Sequence, residues 1–128
     1  MGFRLAWVTD PHLDHATVAA LTAHVTALHA ADPDAVVVTG DFATGASLPR
    51  WLRAYRRMVD RPVYFILGNH DFWGRAVAPV RAAVRRLGEE TEGLVYLTAA
   101  APVTLAPGVA LVGHDGWYDA RAGRWERR

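Results

Sequence analysis

The sequence has 128 residues and contains neither cysteine nor lysine. Without cysteine, the chain can form no disulfide, no thiolate metal site and no thiol nucleophile. Without lysine, it can form no Schiff base, and it lacks the cation of a phosphate-binding P-loop. It also has no apolar run of membrane-spanning length, and Arg4 interrupts its N-terminal apolar stretch. We therefore expect no membrane anchor, no signal peptide and a cytoplasmic location.

A strong charge of either sign is absent as well. The 14 basic and 13 acidic side chains give a formal net charge of +1. The composition therefore gives no signal for nucleic acid or for an anionic membrane as a partner. Hydrophobic residues make up 52% of the chain and charged residues 21%, which is typical of a globular protein. A chain of this length is large enough for one domain with its own core.

Three apolar runs alternate with three segments of helical periodicity. The predicted strands are Phe3–Thr9, Ala35–Thr39 and Val63–Leu67, and the predicted helices cover residues 16–31, 48–59 and 77–87. Asp14 is the expected N-cap of the first helix, and Gly88 is the expected stop of the third. A short strand at Leu94–Leu97 and a hairpin of Val103–Leu105 and Val109–Val112 are predicted to follow. This alternation is typical of an α/β fold with a parallel sheet.

A polar motif follows each of the three predicted strands. The motifs are Asp10-Pro11-His12, Gly40-Asp41 and Gly68-Asn69-His70-Asp71. Ligands of open parallel sheets bind beyond the carboxyl ends of the strands, so the three motifs should converge at one edge. Carboxylate, imidazole and amide groups are suitable ligands for divalent cations. The spacing therefore predicts a metal site.

Each motif also has a simpler explanation when it is taken alone. Asp10 could cap a loop, His12 could lie on the surface, and the two glycine-containing motifs are common turn sequences. The conjunction of all three motifs, each after a strand, favours the metal site. Other polar groups are expected to be solvated or incidental. They are His15, His24 and His29, and the arginines Arg50, Arg53, Arg56, Arg57 and Arg61 at or just after the second helix, for which phosphate binding is the minority interpretation.

In these three motifs the chain resembles the calcineurin-like metallophosphoesterase family. The resemblance covers roughly the whole chain, which looks like the N-terminal half of that family's domain. It implies an α/β fold, a β-sandwich flanked by helices, apparently truncated after a β-α-β-α-β-α unit and short strands. We expect a single, incomplete domain over residues 1–128. Losing the second half of the fold would leave an apolar sheet face exposed.

The resemblance also implies a chemistry and a set of site residues. The family hydrolyses phosphate esters with two divalent metals, commonly drawn from Mn, Fe, Zn or Ni, and a metal-activated hydroxide attacks phosphorus. By similarity, Asp10 and His12 bind the first metal. Asp41 bridges the two metals, and Asn69 binds the second. His70, held by the carboxylate of Asp71, contacts the phosphoryl group. The substrate, small or macromolecular, is not specified.

The chain departs from the family pattern in its histidines. The family usually supplies three more after these motifs, whereas after Asp71 this sequence has only His114, within Val112–Asp119. We place His114 at the rim of the site, facing substrate. A catalytic metal normally keeps about three protein ligands. The first metal retains Asp10, His12 and Asp41, but the second retains only two, so we expect one well-bound metal and weak or no activity from this chain alone.

Three functional interpretations therefore stay open. The leading one is a metal-dependent phosphoesterase of which this chain is the N-terminal portion. The second is a non-catalytic remnant or metal-binding module of the same fold. The third is an enzyme whose missing histidines come from another chain.

Overall fold

The predicted alternation of strands and helices is present in the computed structural model, which describes residues 2–116. The first four strands are β1 (Leu5–Val8), β2 (Ala35–Thr39), β3 (Val63–Ile66) and β4 (Leu94–Tyr96). They are parallel and lie in the order β1-β2-β3-β4, joined by the helices α1 (Val18–Ala31), α2 (Leu48–Val59) and α3 (Val77–Glu90). Strands β5 (Val103–Ala106) and β6 (Val109–Leu111) form a separate antiparallel pair. This mixed α/β architecture, with a parallel four-strand sheet, three helices and a small antiparallel sheet, agrees with the expected fold class.

Strand β2 shows why an apolar run without polar alternation becomes a central strand. It pairs with β1 on one side and β3 on the other, and its residues Ala35, Val36 and Val38 are fully buried. A strand covered on both faces has no position that favours a polar side chain. The residues that follow β2 are therefore held in the middle of the sheet's carboxyl edge.

All three helices pack on one face of the sheet. Consecutive strands are neighbours, so right-handed crossovers bring every helix to the same side. On that face the in-register row Val8, Val38, Phe65 and Tyr96 packs in the core. The helices contribute their apolar stripes, which include Leu28, Leu48, Leu52, Tyr55, Val59, Val80, Val84 and Leu87.

The described residues cover the opposite face only in part. Its in-register row is Trp7, Val37, Tyr64 and Val95, and Trp7 is 74% exposed. The segment after β6 lies against this face, since a Cβ placed on Gly113 would come within 2.8 Å of Ile66 and Leu97.

Two predicted helix boundaries were wrong. Thr17, rather than Asp14, is the N-cap of α1, where its side chain accepts a hydrogen bond from the Ala20 amide. Helix α3 continues through Gly88 to Glu90. Gly88 packs closely on β4, since a Cβ there would lie 3.3 Å from the Leu94 carbonyl oxygen.

Three side chains expected to be solvated have specific partners. His24 Nε2 lies 2.7 Å from the hydroxyl of Tyr55, and burial lowers the pKa of His24 below its usual value. His29 Nε2 lies 3.2 Å from the Val59 carbonyl oxygen. Arg61 pairs with Asp32 at 3.0 Å and also donates to the Pro33 carbonyl. Helix stripes and charge runs show where the polar faces are, but these contacts depend on which element packs alongside.

No helix in residues 2–116 is long and apolar enough to cross a membrane.

Candidate metal centre

The loops after β1 and β2 run side by side beyond the ends of their strands. Three backbone hydrogen bonds join them: the amides of Asp10, His12 and Leu13 donate to the carbonyls of Gly40, Asp41 and Phe42, at 3.3, 3.0 and 2.7 Å. The parallel pairing of the two strands is thereby extended into the loops. This extension sets the first motif next to the second.

Asp10, His12 and Asp41 form the one cluster of three or more potential acidic, histidine or cysteine metal ligands within residues 2–116. One ligand atom from each lies within 4.8 Å of the others, and His12 Nε2 is 3.9 Å from Asp41 Oδ2. Asp10 is exposed, His12 is half-buried and Asp41 is buried. Two carboxylates and an imidazole in this spacing are a suitable mixed oxygen and nitrogen donor set for a divalent cation.

The backbone of the cluster is in an uncommon conformation. Five non-glycine residues of the described chain have positive φ: Asp10, His12, Asp32, Asp41 and Asp60. Asp32 and Asp60 are helix C-caps, where left-handed backbone is ordinary. The other three are the cluster itself, with φ of 49°, 40° and 55°. Such residues cost roughly 1–3 kcal/mol each and concentrate at functional sites, although Asp and His tolerate this region better than most.

Two glycines let the second and third motifs approach closely. Gly40 has φ of 94°, and a Cβ there would lie 2.7 Å from the Gly68 amide nitrogen. A Cβ on Gly68 would lie only 2.2 Å from Asp41 Oδ1. The space that a Gly68 side chain would fill is therefore occupied by the Asp41 carboxylate, and the cluster requires glycine there.

Asp71 is fully buried beneath the cluster. Its carboxylate accepts hydrogen bonds from the backbone amides of Asp41 and Gly68, both at 2.8 Å, and of Ala43 at 3.1 Å. Burial raises the pKa of Asp71 to about 6, against the opposing effect of these three amides. These contacts join the second loop to the third. They favour a positioning role for Asp71 through the backbone over direct orientation of the His70 ring.

His70 lies beside the cluster, at the start of a short 3-10 turn. Its backbone amide donates to Asp41 Oδ1 at 3.0 Å. Its ring meets the His12 ring edge to face, with centroids 4.8 Å apart, and stacks on Trp73 with centroids 3.7 Å apart. The stacking follows from the turn, because side chains three residues apart eclipse in a 3-10 helix. The imidazole is thus adjacent to the metal-capable group.

The remaining predicted site residues lie at the margins of this group. Asn69 is exposed and directly precedes His70. His114 is exposed, and its Nδ1 accepts a hydrogen bond from the Gly116 amide. It is not a member of the cluster. The remainder of the Val112–Asp119 stretch, residues 117–119, lies outside the described residues.

Two carboxylates that sequence reasoning missed support the loops. Asp14, expected to cap a helix, accepts from the amide and the hydroxyl of Thr44, at 2.8 and 2.6 Å. Burial would raise the pKa of Asp14, but the Thr44 hydrogen bonds and nearby His15 hold it below its usual value. The contact joins the first loop to the second. No local pattern identifies it, because the two residues are thirty positions apart.

Asp115 is the second of these carboxylates, and it is buried. It accepts from the Leu67 amide at 2.9 Å, from Arg81 Nε at 2.9 Å, and from the hydroxyls of Thr98 and Tyr96. Burial, with the Asp115 carboxylate alongside, raises the pKa of Tyr96. These contacts fix the end of β3, one residue before Gly68. Its place beside His114 in a polar turn was the only sequence signal.

A groove of about 410 Å³ lies between the N-terminal ends of α2 and α3. Its walls are mostly apolar and include Leu48, Pro49, Pro79 and Val80, with Arg75 at one side. None of the three cluster residues lines it. The cluster lies instead at the open carboxyl edge of the sheet.

Comparison with known proteins gives one family assignment. A family model described as calcineurin-like phosphoesterase matches residues 3–125 of the 128-residue chain. No curated protein and no solved structure matches it. The matched span contains all three strand-end motifs.

Proposed function

Because the chain belongs to the calcineurin-like phosphoesterase family, we propose that it hydrolyses phosphate esters with one divalent cation held by Asp10, His12 and Asp41. The observation that carries this proposal is the cluster itself. Two carboxylates and an imidazole approach within 4.8 Å on a backbone with three positive φ angles. The absence of a Cβ at Gly68 leaves room for one of those carboxylates.

The donor set suits a cation such as Mn²⁺, Fe²⁺, Zn²⁺ or Ni²⁺, since it combines imidazole nitrogen with carboxylate oxygen. When bound, such a cation polarises phosphoryl oxygens and offsets the negative charge that develops on them. The carboxylates of Asp10 and Asp41, which come from two different loops, would offset the positive charge of the cation. Asp71 holds the Asp41 loop in place through its amide.

His70 is the residue proposed to act on the leaving group. Its ring is in contact with the His12 ring, so it would lie beside a phosphoryl group bound at the cluster. An imidazole can donate a proton to a departing oxygen near neutral pH. The hydrogen bond from the His70 backbone amide to Asp41 Oδ1 holds the two residues next to each other.

A second cation has weaker support. In this chain its ligands would be Asp41 and Asn69, which is fewer than the three protein ligands that a catalytic metal normally keeps. This shortage favours a single bound cation. It also supports a second candidate function, a metal-binding module that binds phosphate groups without turnover.

Turnover of a generic ester tests the proposal. The full chain, supplied with Mn²⁺, is expected to hydrolyse phenyl phosphate slowly, and His70→Ala should remove that activity while leaving Mn²⁺ binding in place. His29→Ala is the matched control, because His29 is an exposed histidine on α1. Bound Mn²⁺ without turnover would favour the binding module. Activity unchanged in Asp41→Ala would contradict the assignment of the cluster, and turnover at the rate of a complete dinuclear enzyme would contradict the single cation.

A further inference from the structure

Trp73 is an exposed aromatic residue in direct contact with the candidate catalytic histidine. Its side chain stacks on His70 at 3.7 Å with 28° between the ring planes, yet the residue is 54% exposed. Large aromatic side chains are usually much more buried, and an exposed one beside a polar site is suited to contact a ligand. The backbone keeps Trp73 in place, because its amide donates to the His70 carbonyl at 3.0 Å.

The rings form an array that runs from the cluster to solvent. His12 belongs to the metal-capable cluster, His70 meets it at 4.8 Å, and Trp73 lies at the outer end. A phosphoryl group bound at the cluster would have its ester oxygen near His70. The organic part of the ester, attached through that oxygen, would then extend toward the indole.

We propose that Trp73 is a specificity-determining residue that packs against the planar aromatic group of a phosphate ester, such as an aryl or a nucleobase-bearing one. This inference rests on the proposed function. One face of the indole is stacked on His70, and the residue is 54% exposed, so a second ring would meet the indole at its edge. Aromatic pairs, stacked or edge to face, typically strengthen binding by about 3- to 10-fold. The expected preference is therefore for aromatic over alkyl esters, and it comes from the indole.

Exposure alone does not make a tryptophan suited to this role, as Trp7 shows. It is more exposed than Trp73, at 74%, but it lies on the sheet face and its Nε1 donates to the Thr39 hydroxyl at 3.0 Å. It is in register with Val37 in the sheet. Trp7→Phe is therefore the matched control for substitutions at Trp73.

The test uses two phosphonates that cannot be hydrolysed, phenylphosphonate and methylphosphonate. The full chain, loaded with diamagnetic Zn²⁺ and labelled with ¹⁵N, is titrated with each while the indole N–H signals are followed by NMR. The chain has five tryptophans, and Trp73→Phe identifies the signal of Trp73. We expect phenylphosphonate to bind about 3- to 10-fold more tightly and to shift that signal, with a smaller effect of methylphosphonate.

The variants separate this inference from the proposed function. Trp73→Ala should abolish the aromatic preference, Trp73→Phe should retain most of it, and Trp7→Phe should leave it unchanged. Equal binding of the two phosphonates by the wild-type chain, or a preference that survives in Trp73→Ala, would overturn the role of Trp73 while leaving the proposed function standing. If the Zn²⁺-loaded chain binds neither phosphonate, the phosphate-ester site and the role of Trp73 both fail.

Discussion

Replacing Gly68 by alanine should disrupt the cluster without touching any proposed ligand. The added Cβ would lie 2.2 Å from Asp41 Oδ1 and 2.9 Å from Asp41 Cγ, so the carboxylate would have to retreat by about 1 Å to reach ordinary contact distance. The φ of Gly68 is not in the left-handed region. The substitution therefore tests the close approach to Asp41 rather than backbone strain.

The magnitude follows from the contacts that Asp41 makes. Loss of the bond from the His70 amide to the carboxylate should lower the free energy of unfolding by about 1.5–3 kcal/mol. For a chain of this size, the midpoint of thermal unfolding should fall by roughly 4 °C per kcal/mol. Displacing one of three ligands should weaken the affinity for Mn²⁺ by at least about 10- to 100-fold, the range seen when residues that support a metal ligand are changed.

Calorimetric titration with Mn²⁺ and thermal unfolding measure the two effects separately. Gly108→Ala is the control, since Gly108 has φ of 76° with open space around it in the hairpin turn. It should cost about 1–2 kcal/mol of stability, because alanine is strained at positive φ, and leave Mn²⁺ affinity unchanged. In an Asp41→Gly background, Gly68→Ala should cost less stability than in the wild-type chain, because the clashing carboxylate is gone. A Gly68→Ala protein that binds Mn²⁺ like wild type would refute the packing argument.

Three further perturbations test the supporting structure. Relative to Asp71→Asn, the metal-free wild-type chain should lose about 2 kcal/mol of unfolding free energy as the pH rises from about 4 to 6. With the Asp71 pKa raised to about 6, the folded state keeps a proton that the unfolded state has released. Parallel urea curves for the two proteins over this range would contradict this expectation. Relative to His24→Gln, wild type should instead lose stability as the pH falls below 6.5, because burial lowers the His24 pKa and protonation favours the unfolded state. Identical pH profiles of the two proteins would count against the buried contact between His24 and Tyr55. Asp115→Ala should lower the unfolding free energy by about 3–5 kcal/mol, since it leaves the half-buried Arg81 and the buried Leu67 amide without their acceptor. A change below 1 kcal/mol in denaturant unfolding would mean that the Asp115 contacts contribute no more than a surface pair.

The bounds of a helix or strand could be predicted where the sequence gives strong local signals at both of its ends. The bounds of β2 and α2 match the prediction, because β2 is apolar from Ala35 to Val38 and α2 is preceded by Ser47 with Pro49 in its first turn. Strand β1 is shorter than the predicted Phe3–Thr9. It is defined by pairing, which runs from Leu5 opposite Ala35 to Val8 opposite Val38. The partner strand, rather than the β1 sequence, sets where it begins.

The residues of the candidate site were predictable in kind but not in their contacts. The strand ends and the motif spacing were sufficient to predict that Asp10, His12 and Asp41 lie together at one edge of the sheet. The hydrogen bond from the Leu67 amide to Asp115 spans 48 positions, and local periodicity carries no information about such a pair. The stacking of Trp73 on His70 is easier to predict from the sequence, because the two residues are three positions apart in a turn.

We propose that Asp10, His12 and Asp41 together hold one divalent cation. Calorimetric titration of the full chain with Mn²⁺, repeated on Asp10→Ala, His12→Ala and Asp41→Ala, measures this most directly. We predict one Mn²⁺ per chain in the wild type and a loss of high-affinity binding in each variant, with His29→Ala behaving as wild type. A wild-type chain that binds no Mn²⁺, or one whose binding survives all three substitutions, would contradict the claim.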